Sequence, residues 1–378
     1  MVQVLILTAT AGSGHNAAAK SLDTHYKNNY KDVESLVVDI FKPDHRIIAF
    51  VINELHFFLL KIFPSLMRLS YRLNDKKKIN YKMNVAKTTG LRAKRRIQRI
   101  IKEFKPDAIV STHPFALGLV SYFKEKETID CRTYYVITDY CLLPDSENAY
   151  NMDKVFTSCK EINGDLIKKG VSRKLLLSTG IPVDDRYENY KEELIDYDKI
   201  DVNPDLFTIL LMNGGQGIGY NYEIIKELGE LKKEIQIISI NGSNKKTKNN
   251  IDRYLRKNPD LKIKVINKGY SDNVFQYMQV SDLYIGKAGG ISTTECIKIG
   301  LPILIPKKPP FHEIYNVDFL VKKGYAIYSK SIKNLKKDIE KFLKDKKTLE
   351  KIKNAQLNFE YHDSAKKICN YIYKNSAD

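Results

Sequence analysis

The feature that most constrains this chain is an alternation, repeated in two series, of short β-rich apolar runs with segments of helical period. The first series runs through VQVLILT, AAAKSLDTHYK, ESLVVDI, DAIVSTH, TYYVITDY and KVFTSC. The second starts at FTILLMN, passes through EIIKELGEL, IQIISI, IKVINKG and DLYIGK, and ends with CIKIGLPILIP. Such alternation indicates a parallel sheet with crossover helices. At 378 residues the chain exceeds what one hydrophobic core supports, so two α/β domains, one per series, are expected. Between them DDRYENYKEELIDYDKIDVNPD is polar and locally acidic and reads as a linker. After Ser331 the sequence is helical and lysine-rich, as terminal helices over a finished sheet would be.

Net charge is +18, which points to nucleic acid, phospholipid or a phosphorylated substrate without choosing among them. Location says more: fourteen Lys/Arg lie between residues 61 and 102 against one acid, Asp75. Just before and into this stretch, Ile48, Ile52, Leu55, Leu59, Ile62, Leu66 and Leu69 recur at helical steps, interrupted near Pro64. Asn53, Glu54 and His56 break the run well short of the roughly 20 apolar residues a membrane span needs. An apolar face followed by clustered cations is what an anionic membrane surface selects; an ordinary helix packed on the sheet is the alternative. Little aromatic interleaving beyond Tyr71 and Tyr81 supports base stacking, so no nucleic-acid partner is expected. The five cysteines are far apart with no CxxC pair, which fits reduced thiols and neither a metal nor a redox site. The opening MVQVLILTATAGSGH reads as a first strand, with no basic region before an apolar run, and a cytoplasmic protein is expected.

The loop from Thr10 to Asn16, which contains Gly12, Gly14 and His15, follows a strand and precedes a helix expected near Ala17. A glycine loop before a helix amino end presents backbone N–H groups to an anion, and His15 there can take a proton from an attacking hydroxyl or simply bond its own loop. The pattern lacks the third glycine of GxGxxG and the Lys-Ser/Thr of a P-loop. His113 and Asp139 end two further strands, where functional residues of open α/β sheets collect. Asp139 can hold His15 in a useful tautomer or cap the following turn.

In the second half, Gly214, Gly215 and Gln216 follow FTILLMN and imply close backbone approach to a ligand. The sequence from Gly286 to Glu295 is a stronger signal. Gly289 and Gly290 let the loop turn, Ser292, Thr293 and Thr294 open a helix whose N–H groups and hydroxyls suit a diphosphate, and Glu295 can accept from a ribose diol. A capping box pairing Ser292 with Glu295 fits the spacing equally well. Past the strand Leu301 to Pro306, the polar residues His312, Glu313 and Asn316 can read sugar hydroxyls or lie on a solvated loop.

In this order, GSGHNAAAKSL, THPFALG, VITDY, KKGV, TGIPV, MNGGQG, GKAGGISTTECIKIGLPILIP and HEIYN resemble the processive diacylglycerol glycosyltransferases and the monogalactosyldiacylglycerol synthases, and more distantly the N-acetylglucosaminyltransferase that makes lipid II. The resemblance covers nearly the whole chain. It implies an α/β protein of the GT-B kind, two Rossmann-like domains facing each other across a cleft. The expected division is an acceptor and membrane-binding domain over 1–185, a linker over 186–205 and a donor domain over 206–359, with the helix from about 360 to 378 packing back on the first. It implies an inverting enzyme that takes a hexose, expected to be glucose, from a UDP-sugar to diacylglycerol or a glycosyldiacylglycerol at the inner, anionic face of the cell membrane. No cofactor or metal is expected beyond the UDP-sugar itself.

Residue by residue, the resemblance makes His15 the base; Asp139, Gly12, Gly14 and His113 join it as candidates through their places in the glycine loop and at the strand ends alone. Gly214, Gly215 and Gln216 become a donor loop, and Tyr270 lies where backbone meets uracil. Ser292 and Thr293 then meet phosphate, Glu295 the ribose, and His312 with Glu313 the sugar, while Gly289, Gly290 and Asn316 stay donor-site candidates by position. Relatives show Pro-Gly-Gln-Glu where this chain has Pro310, Phe311, His312 and Glu313. The alternatives are a transferase or 2-epimerase acting on UDP-N-acetylglucosamine, and a basic nucleic-acid-binding protein.

Overall fold

A computed structural model describes residues 1–10, 13–41, 90–190, 195–307 and 313–376. The described residues divide into two compact units, one within 1–184 and 363–376, the other within 185–307 and 313–362.

In the first unit six parallel strands lie in the order β2-β1-β3-β4-β5-β6. They are β1 (Val2–Thr8), β2 (Val33–Asp39), β3 (Ala108–Ser111), β4 (Arg132–Val136), β5 (Lys154–Thr157) and β6 (Leu176–Ser178). In β1 every residue but Gln3 is buried, because a parallel sheet covered on both faces leaves no side for a polar alternation. Val4 and Ile6 meet Leu22 and Tyr26 of the helix Ser13–Asn29 in one core, and Ile368, Cys369 and Ile372 of the last helix, Ser364–Ser376, close it. The Tyr26 hydroxyl donates to the Cys369 carbonyl at 3.3 Å, and burial raises its pKa well above the ordinary value.

The second unit repeats the plan in the order β12-β11-β10-β7-β8-β9. Its strands are β7 (Thr208–Met212), β8 (Ile235–Ile240), β9 (Ile263–Lys268), β10 (Leu283–Gly286), β11 (Ile303–Ile305) and β12 (Ala326–Tyr328). Ile209, Leu211, Ile237 and Ile285 form its centre with Ile339 and Phe342 of the helix Leu335–Lys344. Residues 185–190 also pack on this unit. Glu188 pairs with Lys298 at 2.5 Å, each side chain 2% exposed, and Tyr187 meets Phe275 edge-on at 5.0 Å. Lys298 donates in addition to the Tyr361 carbonyl. A buried pair of this kind costs about 3–5 kcal/mol when one partner is removed, because the other charge is left without compensation.

Two differences from the sequence reading are local. The short strands β6 and β12 are not among the runs picked out above, since three residues at a sheet edge carry too little pattern. The run CIKIGLPILIP divides: its first part ends a helix at Gly300, left-handed at φ 70°, and only Ile303–Ile305 is strand.

Each sheet changes direction once. In the first, β1 is followed outward by β2 while β3 lies on its other side; in the second, β8 and β9 lie to one side of β7 and β10 to the other. Ligands of open α/β sheets sit at the carboxyl ends of the strands at such a switch point.

Candidate functional site

At the first switch point β1 leads to His15 and β3 to Thr112 and His113. The helix begins at Ser13, earlier than the expected Ala17, so Gly14 and His15 lie inside its first turn. Gly12 lies outside the described residues. A polar chain fixes the turn: Thr8 Oγ1 donates to Asn16 Oδ1 at 2.8 Å, Asn16 Nδ2 to Thr10 Oγ1 at 3.0 Å, and Thr10 to the carboxylate of Asp39 at the end of β2.

His15 Nδ1 stands 2.9 Å from the Thr112 carbonyl and 2.7 Å from Thr138 Oγ1. A carbonyl only accepts, so Nδ1 carries a proton, and in the neutral ring it is Nε2 that holds the lone pair. That is the tautomer a general base needs. At Nδ1 the ring is held by a backbone carbonyl and the Thr138 hydroxyl. Asp139 itself is buried at the end of β4, and its carbonyl accepts from Ser158 Oγ at 2.6 Å.

His113 is the N-cap of the helix Pro114–Glu125, its Nδ1 accepting from the Phe115 N–H at 3.0 Å, with Pro114 at the first helical position. Its ring lies edge-on to that of His15 with centroids 4.3 Å apart. Burial first, and then the charge of His15, lower the His113 pKa well below the ordinary value, so it is a neutral imidazole.

The basic run is described only from residue 90 onward; the apolar stretch and the remaining cations of the 61–102 run lie outside the described residues. In the helix Gly90–Phe104, Arg92, Arg95, Arg99 and Lys102 are exposed at helical steps that place them on one face, while Ile97 on another is buried. Arg96 turns inward and donates to the Asp39 carbonyl at 3.0 Å. Among the described residues no helix is long and apolar enough to cross a membrane.

At the second switch point β7 ends in Asn213, Gly214, Gly215 and Gln216, and β10 in Lys287, Ala288 and Gly289. Asn213 bridges the two, its Oδ1 accepting from the Lys287 N–H at 3.2 Å. Gly217 has φ 60°, and a side chain there would meet the Asn241 carbonyl oxygen at 1.8 Å; only glycine permits this turn.

The helix Gly290–Ile299 is N-capped by Gly289, which supplies no side-chain hydrogen bond. Its first N–H groups are donors that no cap residue satisfies. A Cβ built on Gly289 meets nothing within 4 Å, so the space before the helix is open among the described residues. Because the helix starts at Gly290, Ser292 is its third residue and not its cap, and the capping box with Glu295 does not form. Thr293 Oγ1 donates to the Gly289 carbonyl at 2.8 Å and Thr294 Oγ1 to that of Gly290 at 2.6 Å. The donors presented at this helix end are therefore the backbone amides, with Ser292 half-buried among them and Glu295 one turn along the same face.

Lys287, which no sequence argument above singled out, pairs with Glu313 at 2.9 Å. Its place directly after β10 was the available signal, since strand ends at a switch point are where ligands meet the chain. Asn316 is fully buried and donates to the Ala288 carbonyl at 2.9 Å, so it fastens the helix Glu313–Lys322 to this loop. Tyr270, after β9, is 73% exposed. His312 lies outside the described residues.

Residues 15–183 match the family described as monogalactosyldiacylglycerol (MGDG) synthase, and residues 208–368 the glycosyltransferase family 28 C-terminal domain. A processive diacylglycerol beta-glucosyltransferase of Bacillus licheniformis is 26% identical over 374 residues, spanning 99% of this chain and 95% of the relative. Among solved structures, Acinetobacter baumannii MurG superposes with a TM-score of 0.63 at 14% identity, covering 99% of this chain and all of that one. The UDP-GlcNAc 2-epimerase of Neisseria meningitidis, solved with UDP-GlcNAc bound, gives 0.63 at 15% identity over 99% and 100%. At such identities the structural likeness speaks for the shared GT-B architecture.

Proposed function

Because residues 15–183 match the MGDG synthase family and residues 208–368 the glycosyltransferase family 28 C-terminal domain, we propose that the chain transfers glucose from UDP-glucose to diacylglycerol, with inversion, at the cytoplasmic face of the membrane. The observation that carries the reading is the amino end of the helix Gly290–Ile299, which lacks a side-chain cap and opens onto space beside Lys287. A helix amino end of this kind suits a diphosphate. Glu295 takes the ribose hydroxyls, Glu313 the sugar, and the backbone near Tyr270 the uracil.

In the transfer, His15 Nε2 removes the proton of the glycerol hydroxyl and the oxygen attacks the anomeric carbon. The bond from that carbon to the diphosphate oxygen breaks, and its electron pair leaves with UDP. The helix amides stabilise the charge that grows there, and the proton on His15 passes to solvent. The exposed cations of the helix Gly90–Phe104 meet anionic lipid, each worth about 1 kcal/mol near such a surface.

The test supplies purified protein and mixed anionic vesicles containing diacylglycerol with a panel of UDP-sugars and reads the lipids by mass spectrometry. Hexosyl-diacylglycerol from UDP-glucose is expected. Epimerisation of UDP-N-acetylglucosamine without any lipid product would replace the transferase reading with the epimerase one.

A further inference from the structure

Beneath the glycine loop after β7, four asparagines cross the carboxyl ends of three strands. Asn213 Nδ2 donates to Asn221 Oδ1, and Asn221 Nδ2 to Asn241 Oδ1 at 3.1 Å and to the Ile240 carbonyl at 3.3 Å. Asn241 Nδ2 donates to Asn267 Oδ1 at 2.7 Å and to the Lys268 carbonyl at 2.8 Å. Asn267 Nδ2 ends the series on Asp252 Oδ1 at 2.6 Å and the Lys248 carbonyl at 3.0 Å.

The direction of every amide is fixed. At one end the Lys287 N–H can only donate, so Asn213 must present Oδ1 to it; at the other a carboxylate only accepts, and so do the three carbonyls along the way. All four side chains therefore point their donors toward Asp252. Asn213, Asn221 and Asn241 are 4% exposed or less, where an unmatched amide costs about 1–3 kcal/mol. A simple prop under a loop would need neither this length nor this polarity.

We infer that Asn213 is a positioning residue for the donor diphosphate, the last member of a one-way hydrogen-bond ladder that sets the loop Lys287–Gly290 at a fixed distance from Gly214 and Gly215. The inference rests on the nucleotide reading above and extends it. At its Asn213 end the ladder orients backbone donors for phosphate, away from the Lys268 end that leads to Tyr270.

Two variants disturb Asn213 by different routes. Asn213→Ser removes the acceptor that holds the Lys287 N–H. Gly219→Ala acts from an exposed position outside the core, placing a Cβ 2.2 Å from Asn213 Cγ and so displacing its amide.

Calorimetric titration with UDP and with uridine, each protein well below its own unfolding midpoint, should show UDP affinity lowered roughly tenfold in both variants, the loss of about one hydrogen bond's worth of orientation. Uridine affinity should stay within a factor of about two of the unaltered protein. Equal losses for both ligands, or no loss for UDP, would mean that the ladder is only structural. In the unaltered protein the Lys287 amide should exchange slowly before any nucleotide is added; fast exchange would overturn the geometry itself. An unaltered protein that binds no UDP would remove the nucleotide reading and this inference with it, whereas one that binds UDP while its variants keep full discrimination removes the inference alone.

Discussion

The two switch points use the same topology in opposite ways. In the first unit backbone holds side chains: the Thr112 carbonyl fixes the His15 tautomer and the Phe115 N–H fixes His113. In the second, side chains hold backbone: Asn213 fixes the Lys287 N–H and Asn316 the Ala288 carbonyl, while the helix amino end at Gly290 carries no side-chain cap. The first arrangement suits a proton transfer, which needs a group near neutrality; the second suits an anion, which needs many weak donors in fixed places. One parallel sheet can thus serve as a reactive site or as a binding site according to which partner is made rigid.

The largest expected effect breaks the first half of this contrast. His15→Ala should lower turnover by about 10²–10⁴-fold, the usual worth of a positioned base, while UDP affinity stays unchanged. Steady-state kinetics beside calorimetry would show it, and a turnover within a few-fold of the unaltered protein would remove His15 from that role.

The next attacks the second half. Gly217→Ala combines a left-handed backbone with a steric overlap on the Asn241 carbonyl, so it should destabilise by about 1–3 kcal/mol and weaken UDP binding as the loop shifts. Urea unfolding together with UDP titration measures both.

A third prediction sharpens the role of the uncharged imidazole. His113 is neutral when folded, whereas the unfolded chain takes up a proton at the ordinary value of 6.5. The unfolded state then binds more protons, so this contribution to stability is complete above pH 6.5 and is lost as pH falls below it toward the lowered folded pKa. His113→Asn keeps an N-cap acceptor and should flatten that part of the stability profile by about 1 kcal/mol per pH unit, as urea midpoints across the range would report.

The smallest effect concerns Lys287 and Glu313. Their pair is partly exposed, so Lys287→Gln should change stability by less than about 1 kcal/mol, well within reach of a denaturation experiment. If Glu313 reads the sugar, the same variant should raise KM for UDP-glucose and leave UDP affinity nearly as it was.

The sheets were legible because central strands such as β1, β7 and β8 are apolar at almost every position and are followed by a helical period, a signal that survives without tertiary context. The glycine loops were legible too, since a strand, a glycine cluster and a helix start are contiguous in sequence. What pairs with them was not. Thr138 reaches His15 across 123 residues, Lys287 reaches Asn213 across 74, and nothing local in either sequence announces the partner. The start of the helix at Gly290 was misplaced for a related reason. Ser292 looks like a cap by spacing, but Gly289, in extended backbone at ψ 139°, is where the chain turns into the helix. The Thr112 carbonyl that meets His15 is a group any residue could supply, so it leaves no trace in composition.

Hydrogen exchange of the unaltered protein with and without UDP tests the central claim most directly. The account predicts that protection is gained by the segments 213–219 and 286–292 and that 13–16 and 111–115 change little. Protection gained around His15 and His113 instead, or nowhere, would contradict the division between a site that reacts and a site that binds.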